Sequence, residues 1–259
     1  MASGAIGTAL GAGGTRTERR DAWWLAPLGV VLVLGSFSVY ALWAALQNAH
    51  YYAPPYLSPF YSPCLAANCE HPTLPLIGAW WNLSPAFLVL WAPLGFRVTC
   101  YYYRRAYYRS FFWSPPACAV RDAATRYTGE TRLPFLIQNV HRYFFWISLV
   151  VLAFLWWDAF LAFRFPNGFG IGLGSVVLLL NVSLLSLYTL SCHSCRYLVG
   201  GYLDVFHKAP VRYFLWRITN RLNERHAQIA WVSLMGVALA DVYVRLVSTG
   251  AISDPRLFG

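Results

Sequence analysis

The chain has 259 residues, of which 58% are hydrophobic and only 12% charged. Soluble domains carry about a quarter charged residues, so this composition excludes an ordinary soluble globular protein and points to the membrane class. The net charge of +10 would suggest nucleic acid in a soluble chain; here the basic residues orient apolar spans instead, and no nucleic-acid partner is expected.

Residues 1–22 are rich in Gly, Ala and Thr and end on Arg16, Arg19 and Arg20. They lack the apolar core and cleavage site of a signal peptide, so they read as a disordered cytoplasmic tail. A membrane span needs roughly 20 apolar residues to cross ~30 Å of hydrocarbon. Five segments qualify, about 23–46, 80–102, 139–163, 171–193 and 226–249, and together residues 23–249 form one transmembrane anchor domain. Pro93 in the second span is tolerable as a kink. Residues 250–259 form a short outer tail.

The basic residues set the direction. All but Arg164, Arg245 and Arg256 lie before the first span, around connection 103–138, or around connection 194–225. The expected fold is therefore an all-α bundle of five transmembrane helices in a bacterial inner (plasma) membrane, N-terminus cytoplasmic and C-terminus outside. The two inner connections, rich in aromatic and basic residues, suit partner docking or short amphipathic helices. The outer loop 47–79 carries Pro54, Pro55, Pro59, Pro63, Pro72 and Pro75 and is expected to be irregular and rigid. No internal repeat is read in the chain.

Cysteines and histidines sort by side. Cys64 and Cys69 lie in the outer loop, where oxidising conditions favour a disulfide. Cys100, Cys118, Cys192, Cys195, His141, His193, His207 and His226 lie on the inner side. Cys100 ends the second span, His141 opens the third, Cys192-His193-Ser194-Cys195 closes the fourth and His226 opens the fifth. Four helices thus bring thiols and imidazoles to one depth. A lone Cys or His in such a place usually packs or hydrogen-bonds. Several converging in a low-dielectric bundle call for a partner such as a metal centre.

Three centres come into question. Zinc would want a second Cys-x2-Cys pair, and only Cys192 and Cys195 form one. A haem b would need two imidazoles, His141 with His193 or His226, and an outer haem would find only His50. A two-iron cluster on two Cys and two His would have a raised potential, because neutral imidazoles replace anionic thiolates. The usual soluble motif for such a cluster is absent.

The runs Cys100-Tyr-Tyr-Tyr-Arg-Arg-Ala-Tyr-Tyr-Arg-Ser, Ser114-Pro-Pro-Ala-Cys-Ala, Gln138-Asn-Val-His-Arg-Tyr-Phe, Cys192-His with Gly200-Gly, and Leu222-Asn-Glu-Arg-His resemble the membrane anchor subunit of actinobacterial succinate dehydrogenase. The likeness spans roughly residues 80 to 259 and is greatest to the single-chain, five-helix, cytochrome b-like anchor. It implies a Rieske-like [2Fe-2S] cluster near the cytoplasmic face, a flavoprotein subunit and an iron–sulfur subunit as partners, and menaquinone as acceptor. Higher oligomers of the complex stay open. Six candidates compete for four ligand places. Cys100, His141, Cys192 and His226 come first, one from each helix end, with His193 and Cys195 in reserve; Cys195, at i+3, shares a face with Cys192.

Quinone sites need an apolar slot with one or two polar groups. Tyr101, Arg104, Arg142, Tyr143 and Trp146 are the candidates near the inner end, against the simpler reading of an interfacial aromatic belt. Asp158, Asn181, Asp241 and Arg245 lie within the outer halves of spans. Asp241 and Arg245 are spaced to neutralise each other; Asp158 has no sequence-local partner and suits a proton path or an interfacial position. Two other readings compete with the redox anchor, a single-haem anchor and a transporter or assembly factor whose Cys and His only pack. The His boxes of membrane di-iron desaturases are absent.

Overall fold

The structure is a computed structural model that describes residues 19–64, 69, 74–77, 81–123 and 135–259. The expected tail therefore lies outside the described residues up to position 18. Among the described residues, four helices are long and apolar enough to cross a membrane: α1 (Leu25–Gln47), α4 (His141–Leu161, entered through a 3-10 turn over Phe135–Val140), α5 (Leu173–Leu190) and α8 (His226–Ser248). Pro27 sits in the first turn of α1, where its missing N–H costs nothing, and the helix stops at Asn48 in the left-handed conformation. Leu32 and Val39 on α1 are 62% and 71% exposed, as side chains facing lipid would be.

The second span differs from expectation. Of the expected span 80–102, the described residues 81–102 do not form one helix. Trp81–Leu83 (β4) pairs with Leu74–Ile77 (β3), and helix α2 covers only Ala86–Val98. Its 13 residues rise about 20 Å, short of the ~30 Å hydrocarbon layer. Pro85 fixes its start. At its end the Thr99 hydroxyl donates to the Gly95 carbonyl, Cys100 turns extended (φ −69°, ψ 132°), and a new helix α3 runs over Tyr101–Phe111. The break leaves Cys100 only 3% exposed.

Helices α6 (His193–Gly200) and α7 (Pro210–Glu224) follow α5 at the same end of the bundle as α3. The described chain is mostly helical, in keeping with the expected all-α class, and its strands are short. Among the described residues, short strands form four two-stranded antiparallel ladders, β1 (Tyr52–Ala53) with β2 (Tyr56–Leu57), β3 with β4, β5 (Arg164–Phe165) with β6 (Gly168–Phe169), and β7 (Ile171–Gly172) with β8 (Arg256–Phe258). The last ladder ties the C-terminal segment to the entry of α5.

Two buried carboxylates, Asp241 and Asp158, and the half-buried Asp254 hold the opposite end together, where unpaired charge would be costly. Asp241 accepts from Arg245 Nε at 2.7 Å and from the hydroxyls of Tyr40 and Ser58, while Arg245 also donates to Gln47 Oε1, Ala49 O and Ala44 O. Asp158 accepts from Ser62 Oγ at 2.5 Å and from the Cys64 amide at 3.1 Å. Asp254 accepts from Tyr56, Tyr243 and the Gly174 amide; burial first, then this hydrogen bond, raises the Tyr56 phenol above its ordinary range. Asp158, without a local partner in sequence, is thus an anchor for the Pro-rich loop. In that loop Cys64 and Cys69 are joined by a disulfide with Cα atoms 4.7 Å apart.

Close helix packing turns on Gly95. A Cβ there would stand 2.1 Å from the Phe144 ring of α4. Gly95→Ala is therefore expected to destabilise the α2–α4 contact by about 1–3 kcal/mol, whereas Gly29→Ala on α1, with nothing within 4 Å, should leave the melting temperature of the purified complex unchanged.

Candidate metal centre

Four of the helix ends meet at one point. His141 and His226 are the first residues of α4 and α8, so each ring is set by the helix that follows it. Cys100 and Cys192 occupy the extended breaks after α2 and α5. All four are at most 8% exposed. His141 Nε2 lies 3.0 Å from Cys192 Sγ, and His226 Nε2 lies 3.4 Å from Cys100 Sγ. Phe96 stacks on the His141 ring (4.7 Å, 5° between planes) and Tyr188 on the His226 ring (5.2 Å, 13°). Each Nδ1 meets a hydroxyl: Thr99 Oγ1 at 2.8 Å from His141 and Ser191 Oγ at 2.6 Å from His226.

Positive charge is built in. The Arg97 guanidinium lies 4.5 Å from the Tyr188 ring centre and donates to Ser233 Oγ (3.1 Å), Ala230 O and the Tyr103 hydroxyl. A cation at this place complements thiolates in a medium of low dielectric. The buried Tyr188 hydroxyl and Ser148 hydroxyl have no hydrogen-bond partner among the described residues, nor has Asn181 Oδ1.

The two reserve residues lie beside these pairs. His193 is exposed and lines a cavity on the α3–α6 side; Cys195 is buried in the same packed cluster as Cys192. That cavity, of about 1010 Å³, is walled by His141, Tyr101, Arg142, Trp146, Gln138 and Arg212 among others. Of the five residues proposed for quinone, Tyr101, Arg142 and Trp146 line it. Arg104 lies over the Tyr101 ring at 4.3 Å and Tyr143 is 56% exposed; neither lines the cavity. A second cavity, of about 450 Å³ and almost wholly apolar, lies between α1, α2, α4 and α5, with Phe96, Arg97, Ser148 and Tyr188 in its wall.

Thr99 and Ser191 are absent from the sequence-derived site. Their signal is nonetheless present as a short pattern shared by two helix ends. Phe96-Arg-Val-Thr99-Cys100 and Tyr188-Thr-Leu-Ser191-Cys192 share the pattern aromatic, two residues, hydroxyl, cysteine, each at the end of an apolar helix.

A family model described as actinobacterial succinate dehydrogenase subunit SdhC matches residues 25–250. The chain belongs to this family. It is thus a membrane subunit of succinate dehydrogenase, one part of an oxidoreductase complex whose other subunits are its partners, and not a complete enzyme alone. A solved structure described as the Mycobacterium smegmatis Sdh1 complex in the apo form contains a chain 44% identical to this one, with all of both chains covered and a TM-score of 0.87. No curated protein matches. Within this SdhC subunit the hydroxyl, imidazole and thiol groups converge at the helix breaks.

Proposed function

We propose that this subunit is the quinone-reactive anchor of succinate dehydrogenase and holds a Rieske-like [2Fe-2S] cluster on Cys100, His141, Cys192 and His226. The observation that carries the reading is the pair of buried thiol–imidazole contacts, 3.0 and 3.4 Å, brought together from four helix ends. The donor set fits the group. Among the described residues no three His, Cys, Asp or Glu surround a single metal position, while two donor pairs suit a centre with two metals. A haem fits less well, because each Nε2 faces a sulfur instead of an open slot and each ring already carries an aromatic stacking partner. When bound, such a cluster supplies one-electron transfer at a raised potential.

The chain's own residues provide the rest. Hydroxyls hold the imidazoles, Phe96 and Tyr188 exclude water from their faces, and Arg97 offsets negative charge. In this reading the flavoprotein and iron–sulfur subunits dock on the basic end formed by α3, α6 and α7, which lies in the cytoplasm, α2 together with the segments at its two ends makes a fifth passage of the inner membrane, and menaquinone is the acceptor. The quinone head occupies the cavity against His141, with Arg142 and Tyr101 as donors to its carbonyls and Trp146 as an apolar wall.

The test is spectroscopic. The reduced complex should show electron-spin couplings to two imidazole nitrogens and no Soret band; a Soret band without those couplings favours the haem reading. Arg142→Ala should raise the quinone KM about tenfold, the loss of one charge-assisted hydrogen bond, with succinate-dependent dye reduction unchanged in steady-state assays.

A further inference from the structure

The two hydroxyls deserve a role of their own, because their bonding fixes what the imidazoles can do. Thr99 Oγ1 spends its only proton on the Gly95 carbonyl at 2.7 Å, and Ser191 Oγ spends its own on the Tyr188 carbonyl at 2.9 Å. Each oxygen can then only accept from the ring nitrogen it faces. With those bonds made, the arrangement favours the hydrogen on His141 Nδ1, 2.8 Å from Thr99, and on His226 Nδ1, 2.6 Å from Ser191. The lone pair of each ring is left on Nε2, the nitrogen that faces the thiol of Cys192 or Cys100.

The connections also cross. The dipeptide Thr99-Cys100 holds His141 with its hydroxyl while its thiol faces His226. Ser191-Cys192 holds His226 with its hydroxyl while its thiol faces His141. Each helix break thus serves both thiol–imidazole pairs, and the repeated pattern of aromatic, hydroxyl and cysteine is the sequence form of that arrangement.

We propose that Thr99 and Ser191 are positioning residues that hold His141 and His226 as the tautomer with Nε2 free to bind metal, an inference that rests on the four-ligand reading above. A hydrogen-bond acceptor on the far nitrogen fixes ring orientation and raises ligand basicity, and its loss typically weakens metal binding 10–100-fold.

The test uses the whole complex carrying Thr99→Val, Ser191→Ala, and the conservative pair Thr99→Ser and Ser191→Thr. Succinate-dependent dye reduction reports assembly. Iron release to a ferrous chelator should be about 10–100-fold faster in the Val and Ala variants. The imidazole nitrogen couplings, assigned with labelled histidine, should change for His141 alone in Thr99→Val and for His226 alone in Ser191→Ala. Thr99→Ser and Ser191→Thr should behave as wild type. Val and Ala variants with wild-type release and couplings overturn the proposal, and so does loss of iron in either hydroxyl-preserving variant, whether or not the Val and Ala complexes assemble. A wild-type complex with no imidazole couplings overturns the four-ligand reading itself, which separates the two failures.

Discussion

Cys192→Ala is expected to reduce quinone reduction by the purified complex to background while succinate reduction of a soluble dye stays largely intact. In the proposed path the dye accepts electrons before they reach this subunit, so it reports the partner subunits and their assembly. Cys192 is 2% exposed and faces the His141 Nε2 at 3.0 Å. Removing its sulfur takes away one of the two thiols of the proposed centre and leaves the His141 Nε2 facing a methyl group. Cys118 is the contrasting control. It is exposed and its contribution is a backbone carbonyl that accepts from Arg19, so Cys118→Ala should retain both activities. Unchanged quinone reduction in Cys192→Ala would remove this residue from the electron path.

Arg245→Ala is expected to cause the largest loss of stability. The Asp241–Arg245 pair lies on one face of α8 at 2.7 Å, with side chains 0% and 7% exposed. Breaking such a pair by removing one partner costs about 3–5 kcal/mol, because the remaining charge is left buried. The Arg245 side chain also closes the carbonyls of Ala44 and Ala49 at the end of α1, so its loss should loosen α1 and the loop after it. Asp241→Leu with Arg245→Leu should be milder than Arg245→Ala alone, since no charge is stranded. Thermal unfolding of the detergent-purified complexes measures both. Equal melting temperatures for wild type and Arg245→Ala would show that the pair contributes nothing.

The long spans were legible because an uninterrupted apolar run has few other places to go. Leu25–Gln47, His141–Leu161, Leu173–Leu190 and His226–Ser248 fall within a few residues of their expected limits. The second span was not, because hydropathy does not register the Ser84-Pro85 start or the Thr99 back-bond that ends α2 before Cys100. The short ladders escaped for a related reason: two-residue strands leave no period in the sequence. The Asp241–Arg245 contact was readable from its four-residue spacing, whereas the partners of Asp158 are the hydroxyl of Ser62 and the amide of Cys64, far away in sequence.

At the centre, helix ends carrying Cys and His were enough to bring Cys100, His141, Cys192 and His226 under consideration, and the structure places these four together. Depth alone could not separate them from His193, which the turn of α6 directs into the cavity, or from Cys195, which packs beside Cys192. Nor could it show Thr99 and Ser191, which look like ordinary helix-end residues until the rings they face are known. For quinone, interfacial position alone did not separate Tyr101, Arg142 and Trp146, which line a common cavity, from Arg104 and Tyr143, which do not.

The central claim is that two buried sulfurs and two buried imidazoles hold iron in this subunit. It is tested most directly by comparing iron and acid-labile sulfide in the wild-type complex with those in the assembled His226→Ala complex. The account predicts a deficit of two irons and two sulfides per complex in the variant, with haem absent from both. Equal iron and sulfide in the two preparations would contradict it.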